Sequence, residues 1–199
     1  EGGGPHAENL AAGLAAPAGG TAMALRRYLD KYGVEREQLA AVAVAQRKAA
    51  LSNPLAAMTK PLTAEDYRTS PYLVEPLRVL DCSVPVDTGV AVILASSTRA
   101  RDLLKRPVYL RAYQGMAAGP KEFVFGQRGL GIAQSEEFEW NPGAAAEAVY
   151  AAADATPDDI DTFHCYDGFV PHVLWSLERF GFAPPGEAAN WVQNGRIEL

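Results

Sequence analysis

The hexapeptide His164-Cys165-Tyr166-Asp167-Gly168-Phe169 sets an imidazole, a thiol, a phenol and a carboxylate side by side and follows them with a glycine. A phenol has an ordinary pKa of about 10. At neutral pH it is a proton donor, and it becomes a base only where that pKa is pulled down. An ionised Asp167 close to Tyr166 would favour the protonated phenol, and with it the acid role. Gly168 would let a ligand approach the backbone. The segment ends an alternating run, Ile160 to Tyr166, and leads into an apolar helical stripe of Val170, Val173, Leu174, Leu177 and Phe180, closed by Gly181. In α/β folds the end of a strand before a helix opens on the crevice where ligands bind. A plainer reading stands beside this one. Tyr166 and Cys165 could be core, Asp167 the N-cap of the next helix, and Gly168 a relief of crowding.

Other residues offer less. Tyr113 ends the alternating run Pro107 to Tyr113, where a tyrosine packed on the core is an equal account. Ser83 sits where a turn serine is expected. Of the three histidines, His6, His164 and His172, the last lies one turn into the final helical stripe, where it could face the site, though an exposed or capping role is the first expectation. Cys82 and Cys165 are too few for a disulfide framework or a paired-cysteine metal site, so no metal is expected and both read as structural thiols. The glycines of Gly126-Gln127-Arg128-Gly129-Leu130-Gly131 have the wrong spacing for a dinucleotide fingerprint, and no strand leads into them.

The elements that must carry these residues show in the apolar periodicity. Glu1 to Gly20 is rich in Gly, Ala and Pro and reads as loop. Leu25, Tyr28, Leu29 and Tyr32 make one face of a helix, with Thr21 as N-cap and Gly33 as stop. A second helix is predicted from Arg36 to Leu51, then a capped turn from Thr63 to Arg68. Val90 to Ala95 reads as a strand buried on both faces. Ser96 to Lys105 reads as a helix and Pro107 to Tyr113 as a half-buried strand. An alanine-rich helix follows from Pro142 to Ala153. Thr156-Pro157-Asp158-Asp159 is a helix-start signal. Strands alternating with helices argue for an α/β fold.

Composition narrows the function. The chain has 199 residues, 48% of them hydrophobic, and a net charge of -6. An acidic chain without clustered Lys and Arg is a poor nucleic-acid partner. No apolar run is long enough to span a bilayer, and no signal peptide begins the chain. Two cysteines fit a reducing cytoplasm. The chain opens without Met and stops in a turn-like Gly195-Arg196-Ile197-Glu198-Leu199, so both ends read as cut.

Three collinear blocks resemble the lipid-transfer or sterol-carrier-type thiolases. The first is Tyr32-Gly33 through Arg36-Glu37-Gln38-Leu39-Ala40-Ala41-Val42-Ala43, followed by Asn53-Pro54 and Lys60-Pro61-Leu62-Thr63. The second is Pro76-Leu77-Arg78-Val79-Leu80-Asp81-Cys82-Ser83 with Asp87-Thr88-Gly89-Val90-Ala91-Val92. The third is Tyr166-Asp167-Gly168-Phe169 with Leu177-Glu178-Arg179-Phe180-Gly181-Phe182 and Gly186-Glu187. The resemblance implies an α/β thiolase fold, two similar mixed-sheet halves with helices, only partly covered by this chain. Residues 1–106 would end the first half and its loop region, and residues 107–199 would begin the second. It places the family's nucleophilic cysteine before residue 1 and its C-terminal histidine and glycine-rich motifs after residue 199. A chain holding only part of each sheet should expose apolar surface and aggregate.

The resemblance also implies the chemistry. Thiolases carry Asn-Glu-Ala-Phe where this chain has Tyr166-Asp167-Gly168-Phe169, and that Asn helps form an oxyanion hole; the sterol-carrier branch often has His there. The tyrosine is similar to the actinobacterial lipid-transfer branch that cleaves steroid side chains as aldolases. The expectation is retro-aldol cleavage of a β-hydroxyacyl-CoA. Tyr166, Asp167 and Tyr113 would be its catalytic residues, and Ser83 and Gly168 would face the coenzyme A portion. No cofactor would be permanently bound; coenzyme A enters as part of the acyl-CoA substrate. A homodimer and a zinc-ribbon/OB-fold partner subunit are expected. The alternatives are a β-ketoacyl-CoA thiolase with its nucleophilic Cys outside this chain, and a non-catalytic thiolase-like scaffold subunit.

Overall fold

Helix α1, Pro17–Tyr32, buries Ala22, Leu25, Tyr28 and Leu29 on one stripe, because those side chains recur at helical spacing. The computed structural model that places it describes residues 17–103, 106–114 and 144–198. His6 and the glycine-spaced run 126–131 lie outside the described residues. Thr21 was expected to cap α1 and instead lies buried inside it, since the helix already includes Pro17. Gly33 ends it as expected: its φ is 63°, and Val34 N donates to Leu29 O at 3.1 Å.

The stretch predicted as one helix from Arg36 divides. A 3-10 turn, Arg36–Leu39, opens with Glu35 N donating to the Gln38 side chain at 2.9 Å, and α2 follows from Ala40 to Leu51. Helix α3, Ala64–Thr69, has the expected cap: Asp66 N donates to Thr63 Oγ1 at 3.1 Å, and Thr63 N to Asp66 Oδ2 at 2.9 Å. Strands β1, Tyr72–Val74, and β2, Leu77–Arg78, pair antiparallel and run into a 3-10 turn at Val79–Asp81. Helix α4 is only Ser97–Ala100, shorter than the predicted Ser96 to Lys105. Helix α5 spans Ala144–Ala153, and Thr156 caps a 3-10 turn at Pro157–Asp159. Helices α6, Val170–Arg179, and α7, Ala188–Trp191, complete the described chain.

One apolar cluster joins α1, α2, α3, β2, α6 and α7. Leu25, Leu39, Val42, Tyr67 and Leu77 from the early part meet Leu174, Leu177 and Val192 from the late part. The Tyr28 hydroxyl donates to Glu178, tying α1 to α6. Burial raises the pKa of both groups above the ordinary ranges of a phenol and a carboxyl.

The predicted strands fare differently. Val90 to Ala95 forms no strand among the described residues, with Val90 86% and Ile93 91% exposed. β-Branched side chains favour extended backbone, but a ladder needs a neighbour to take its N–H and C=O groups. Pro107 to Tyr113 likewise forms no strand among the described residues, and is anchored where Arg111 donates to Asp154 O at 3.1 Å. In the run from Ile160 to Tyr166 the alternation is real: Phe163 and Cys165 pack against the core, while His164 and Tyr166 face outward. Phe163 sits between Phe180 and Phe182, with ring centroids 5.2 and 4.7 Å away. Among the described residues, ladder pairing near it is limited to one bridge, Cys82 to Phe169.

A buried ionic knot fixes the middle of the chain. Arg36 Nη2 lies 2.7 Å from Asp81 Oδ2, and the Asp81 side chain is fully buried. Arg36 Nε donates to Pro76 O at 2.7 Å, and Arg78 N donates to Asp81 Oδ2 at 2.7 Å. The Tyr67 hydroxyl donates to Asp81 and accepts from Arg36. Burial pushes the Asp81 carboxyl above its usual range, against the pull of the Arg36 guanidinium. Replacing Asp81 by Asn keeps the shape and leaves Arg36 as an uncompensated buried charge. Asp81→Asn is expected to lose about 3–5 kcal/mol in urea unfolding; a loss within experimental error would mean the knot is not a constraint on the fold.

His172 corrects an expectation. It is 8% exposed rather than a surface or capping residue, because the first turn of α6 packs into the cluster. Burial lowers its pKa to about 4. The unfolded value is about 6.5, so the folded state favours the neutral ring. Its contribution to stability is full above pH 6.5 and is lost as the pH falls toward 4. Glu178 acts with the opposite sign, since its raised pKa makes ionisation oppose folding. A His172→Phe variant should therefore show a shallower fall in melting temperature between pH 6.5 and 4; an unchanged slope would assign that dependence elsewhere.

Candidate functional site

The segment 82–83 lies antiparallel to the segment 168–169, and this pairing builds the site. Cys82 bridges Phe169, and Ser83 N donates to Gly168 O at 3.1 Å. Two residues singled out separately in the sequence, Ser83 and Gly168, are thus joined through their backbones. The knot at Asp81 immediately precedes Cys82 and fixes where this segment runs. On the other side, Phe169 is the N-cap residue of α6 without a side-chain cap, and Pro171 stands in the first turn, where it gives up no helical hydrogen bond.

Tyr166 faces outward, 56% exposed, with its ring centroid 5.7 Å from that of His172. His172 in turn meets Phe169 edge-on at 5.2 Å and Trp175 at 5.6 Å. Trp175 continues to Tyr28 of α1 at 6.2 Å. The ring of Tyr166 therefore rests at the end of an aromatic column that descends into the core. Tyr166 is not core itself, and Asp167 is not the helix cap; both plainer readings of these residues fail on this geometry. Asp167 Oδ2 instead accepts from Gln46 Nε2 of α2 at 3.0 Å.

The thiols are half-buried and free of disulfide. Burial raises the Cys82 pKa, helped by the negative charge of Asp81. Burial raises that of Cys165 as well, helped by Asp167. Thiolate is the nucleophilic form, so neither environment favours a nucleophile. This agrees with their reading as structural residues.

Tyr113 is 82% exposed and takes part in none of the contacts that build the Tyr166 cluster. The structure brings together Tyr166, Asp167, Gly168 and Ser83, and not Tyr113. His164 is exposed beside them. Sequence reasoning missed Gln46, which carries no signal on an apolar helix, and the burial of His172. The second was signalled by spacing, since His172 falls three residues after Phe169 and three before Trp175. Among the described residues no group of three His, Cys, Asp or Glu side chains could hold a metal ion. No described helix is long and apolar enough to cross a membrane.

Known proteins match this architecture. Residues 132–199 match the thiolase C-terminal domain-like family. The 17-hydroxy-3-oxo-4-pregnene-20-carboxyl-CoA lyase of Mycobacterium tuberculosis is 38% identical over 191 residues, 94% of this chain and 48% of that protein. An acetyl-CoA acetyltransferase of Methanothermobacter thermautotrophicus is 33% identical over 178 residues, 89% of this chain and 44% of that protein. The solved structure of an Ltp2-ChsH2(DUF35) aldolase superposes with a TM-score of 0.78 at 33% identity, covering 100% of this chain and 52% of that one. The chain spans about half the length of the relatives it matches. The superposition and the sequence identity agree along most of the chain, and the family match agrees with them over residues 132–199; on them the chain has a thiolase-like fold and is similar to the steroid-CoA lyase and the aldolase just named.

Proposed function

We propose that this chain belongs to an enzyme that cleaves a β-hydroxyacyl-CoA by a retro-aldol reaction, and that Tyr166 handles a proton in that step. The observation that carries the reading is the pose of Tyr166. Its ring is backed by the His172 column while much of its surface stays open to an incoming ligand. The relatives named above that act on steroid CoA esters or are called aldolases support the reaction class.

The reaction asks for few groups. A base takes the proton of the β-hydroxyl, the Cα–Cβ bond breaks, and a carbonyl compound leaves. The electron pair moves into a thioester enolate, whose α-carbon then takes a proton. No acyl-enzyme forms, so a nucleophilic thiol is not needed. What is needed is a donor near the enolate and hydrogen-bond donors aimed at the thioester oxygen. Tyr166 would supply the proton, with Asp167 beside it held in place by Gln46. Ser83, exposed at the edge of the segment beside Gly168, would face the coenzyme A portion. Tyr113 remains a second proton carrier in this proposal only if substrate draws its segment toward Tyr166.

The same reading includes a homodimer, a reducing cytoplasm and a division of the chain near residue 107. It also includes a zinc-ribbon/OB-fold partner subunit, which the two-component name of the solved aldolase supports. A second reading, a β-ketoacyl-CoA thiolase, is favoured by the identity to the acetyltransferase. The two differ in product: the aldolase releases a carbonyl compound without free coenzyme A, and the thiolase consumes coenzyme A. In the intact protein with its partner, Tyr166→Phe should lower kcat for β-hydroxyacyl-CoA cleavage by about 10²- to 10⁴-fold, the usual range for a lost general acid or base. Undiminished turnover would remove Tyr166 from the mechanism, and coenzyme A-dependent cleavage of a β-ketoacyl-CoA would establish the thiolase reading instead.

A further inference from the structure

Glycine at position 168 is required by space and not by backbone conformation. Its φ lies outside the left-handed region, so any residue could adopt this backbone. A Cβ built on Gly168, however, would fall 2.6 Å from Tyr166 Cε1 and 2.7 Å from both Cζ and the phenol oxygen. Separations this short lie far inside ordinary carbon contact, near 3.5–4.0 Å. The tyrosine ring therefore lies directly over the bare α-carbon of Gly168.

The backbone beneath the ring is not free to yield. The carbonyl of Gly168 is held by Ser83 N at 3.1 Å, and the next residue, Phe169, is bridged to Cys82. The residue between ring and glycine, Asp167, is tied to Gln46 at 3.0 Å. The ring also meets His172, itself wedged against Phe169 and Trp175. A side chain at 168 would have one easy outlet, rotation of the tyrosine out of its place.

We propose that Gly168 is a positioning residue: by carrying no side chain it lets the Tyr166 ring lie across the backbone, and so sets where the phenol hydroxyl points. The proposal rests on the proton-transfer reading of Tyr166 for its effect on turnover, but its structural half does not. It also replaces a direct role for Gly168 in holding coenzyme A.

The test is Gly168→Ala in the intact protein, a change the backbone tolerates. The crystal structure of the variant should show the Tyr166 ring displaced, with the melting temperature near that of the parent. A ring still in place would overturn the positioning role whatever the activity. Turnover is then read alone and in a Tyr166→Ala background. A misplaced catalytic group costs about 10²-fold, so Gly168→Ala should lower kcat by about that factor with little change in KM. In the Tyr166→Ala background the same change should cause no further loss, because there is no ring to displace. A raised KM with unchanged kcat, or an equal loss in both backgrounds, would overturn the proposal by showing that Gly168 acts on substrate directly. Should Tyr166→Phe retain full turnover while the ring is displaced in Gly168→Ala, the proton-transfer reading alone fails and the geometric inference stands.

Discussion

The pairing of Arg36 with Asp81 is the constraint from which the rest of the structure follows. Both charges are withdrawn from water, and each is satisfied on more than one side: the arginine by Pro76 O and Tyr67, the carboxylate by Tyr67 and the Arg78 amide. Removing two charges from solvent is expensive, and their attraction offsets the cost only when the remaining donors and acceptors are filled. That requirement gathers the 3-10 turn before α2, helix α3 and the turn after β2 about one point. Cys82 and Ser83 leave this point in a fixed direction, so the segment that meets Gly168 and Phe169 is set by an interaction far from the phenol it supports. Such a knot acts through geometry more than through net stability.

The cluster beneath the site follows a different logic. Tyr28, Trp175, His172 and Tyr166 form a chain of ring contacts leading from the core to the surface. A neutral imidazole in that chain serves as one more flat, packable ring. Rings have few rotatable bonds, so a column of them passes the order of the interior to the outermost tyrosine at small entropic cost.

The helices were legible because a helix satisfies its own backbone, and the apolar stripe alone sets its face. Leu25, Tyr28 and Leu29 show this in α1, and Val173, Leu174 and Leu177 in α6. Caps were legible for the same local reason at Thr63 and Thr156, while Thr21 misled because the helix begins ahead of it. Strands were not legible in this way. Val90 to Ala95 has the composition of an interior strand, yet a ladder depends on a second segment that composition does not name. The site divided along the same line. The Tyr166 to Phe169 stretch stood out through its own residue types, and the inward and outward alternation around it was correct. Gln46 reaching Asp167 from 121 positions away, and the bare α-carbon beneath the phenol, are properties of the assembled chain.

The single core has a consequence for how the chain acquires its shape. Leu25, Leu39 and Tyr67 find their partners in Leu174, Leu177 and Val192, and the Tyr28–Glu178 contact closes a loop of 150 residues. Closing such a loop costs about 4 kcal/mol of chain entropy beyond a constant. During synthesis the first helices leave the ribosome before α6 and α7 exist, so the part of their apolar faces that those helices cover stays open for that interval. Folding that waits on distant contacts is slow, and exposed intermediates are the species that associate wrongly. In this topology the core is complete only once residue 192 has emerged.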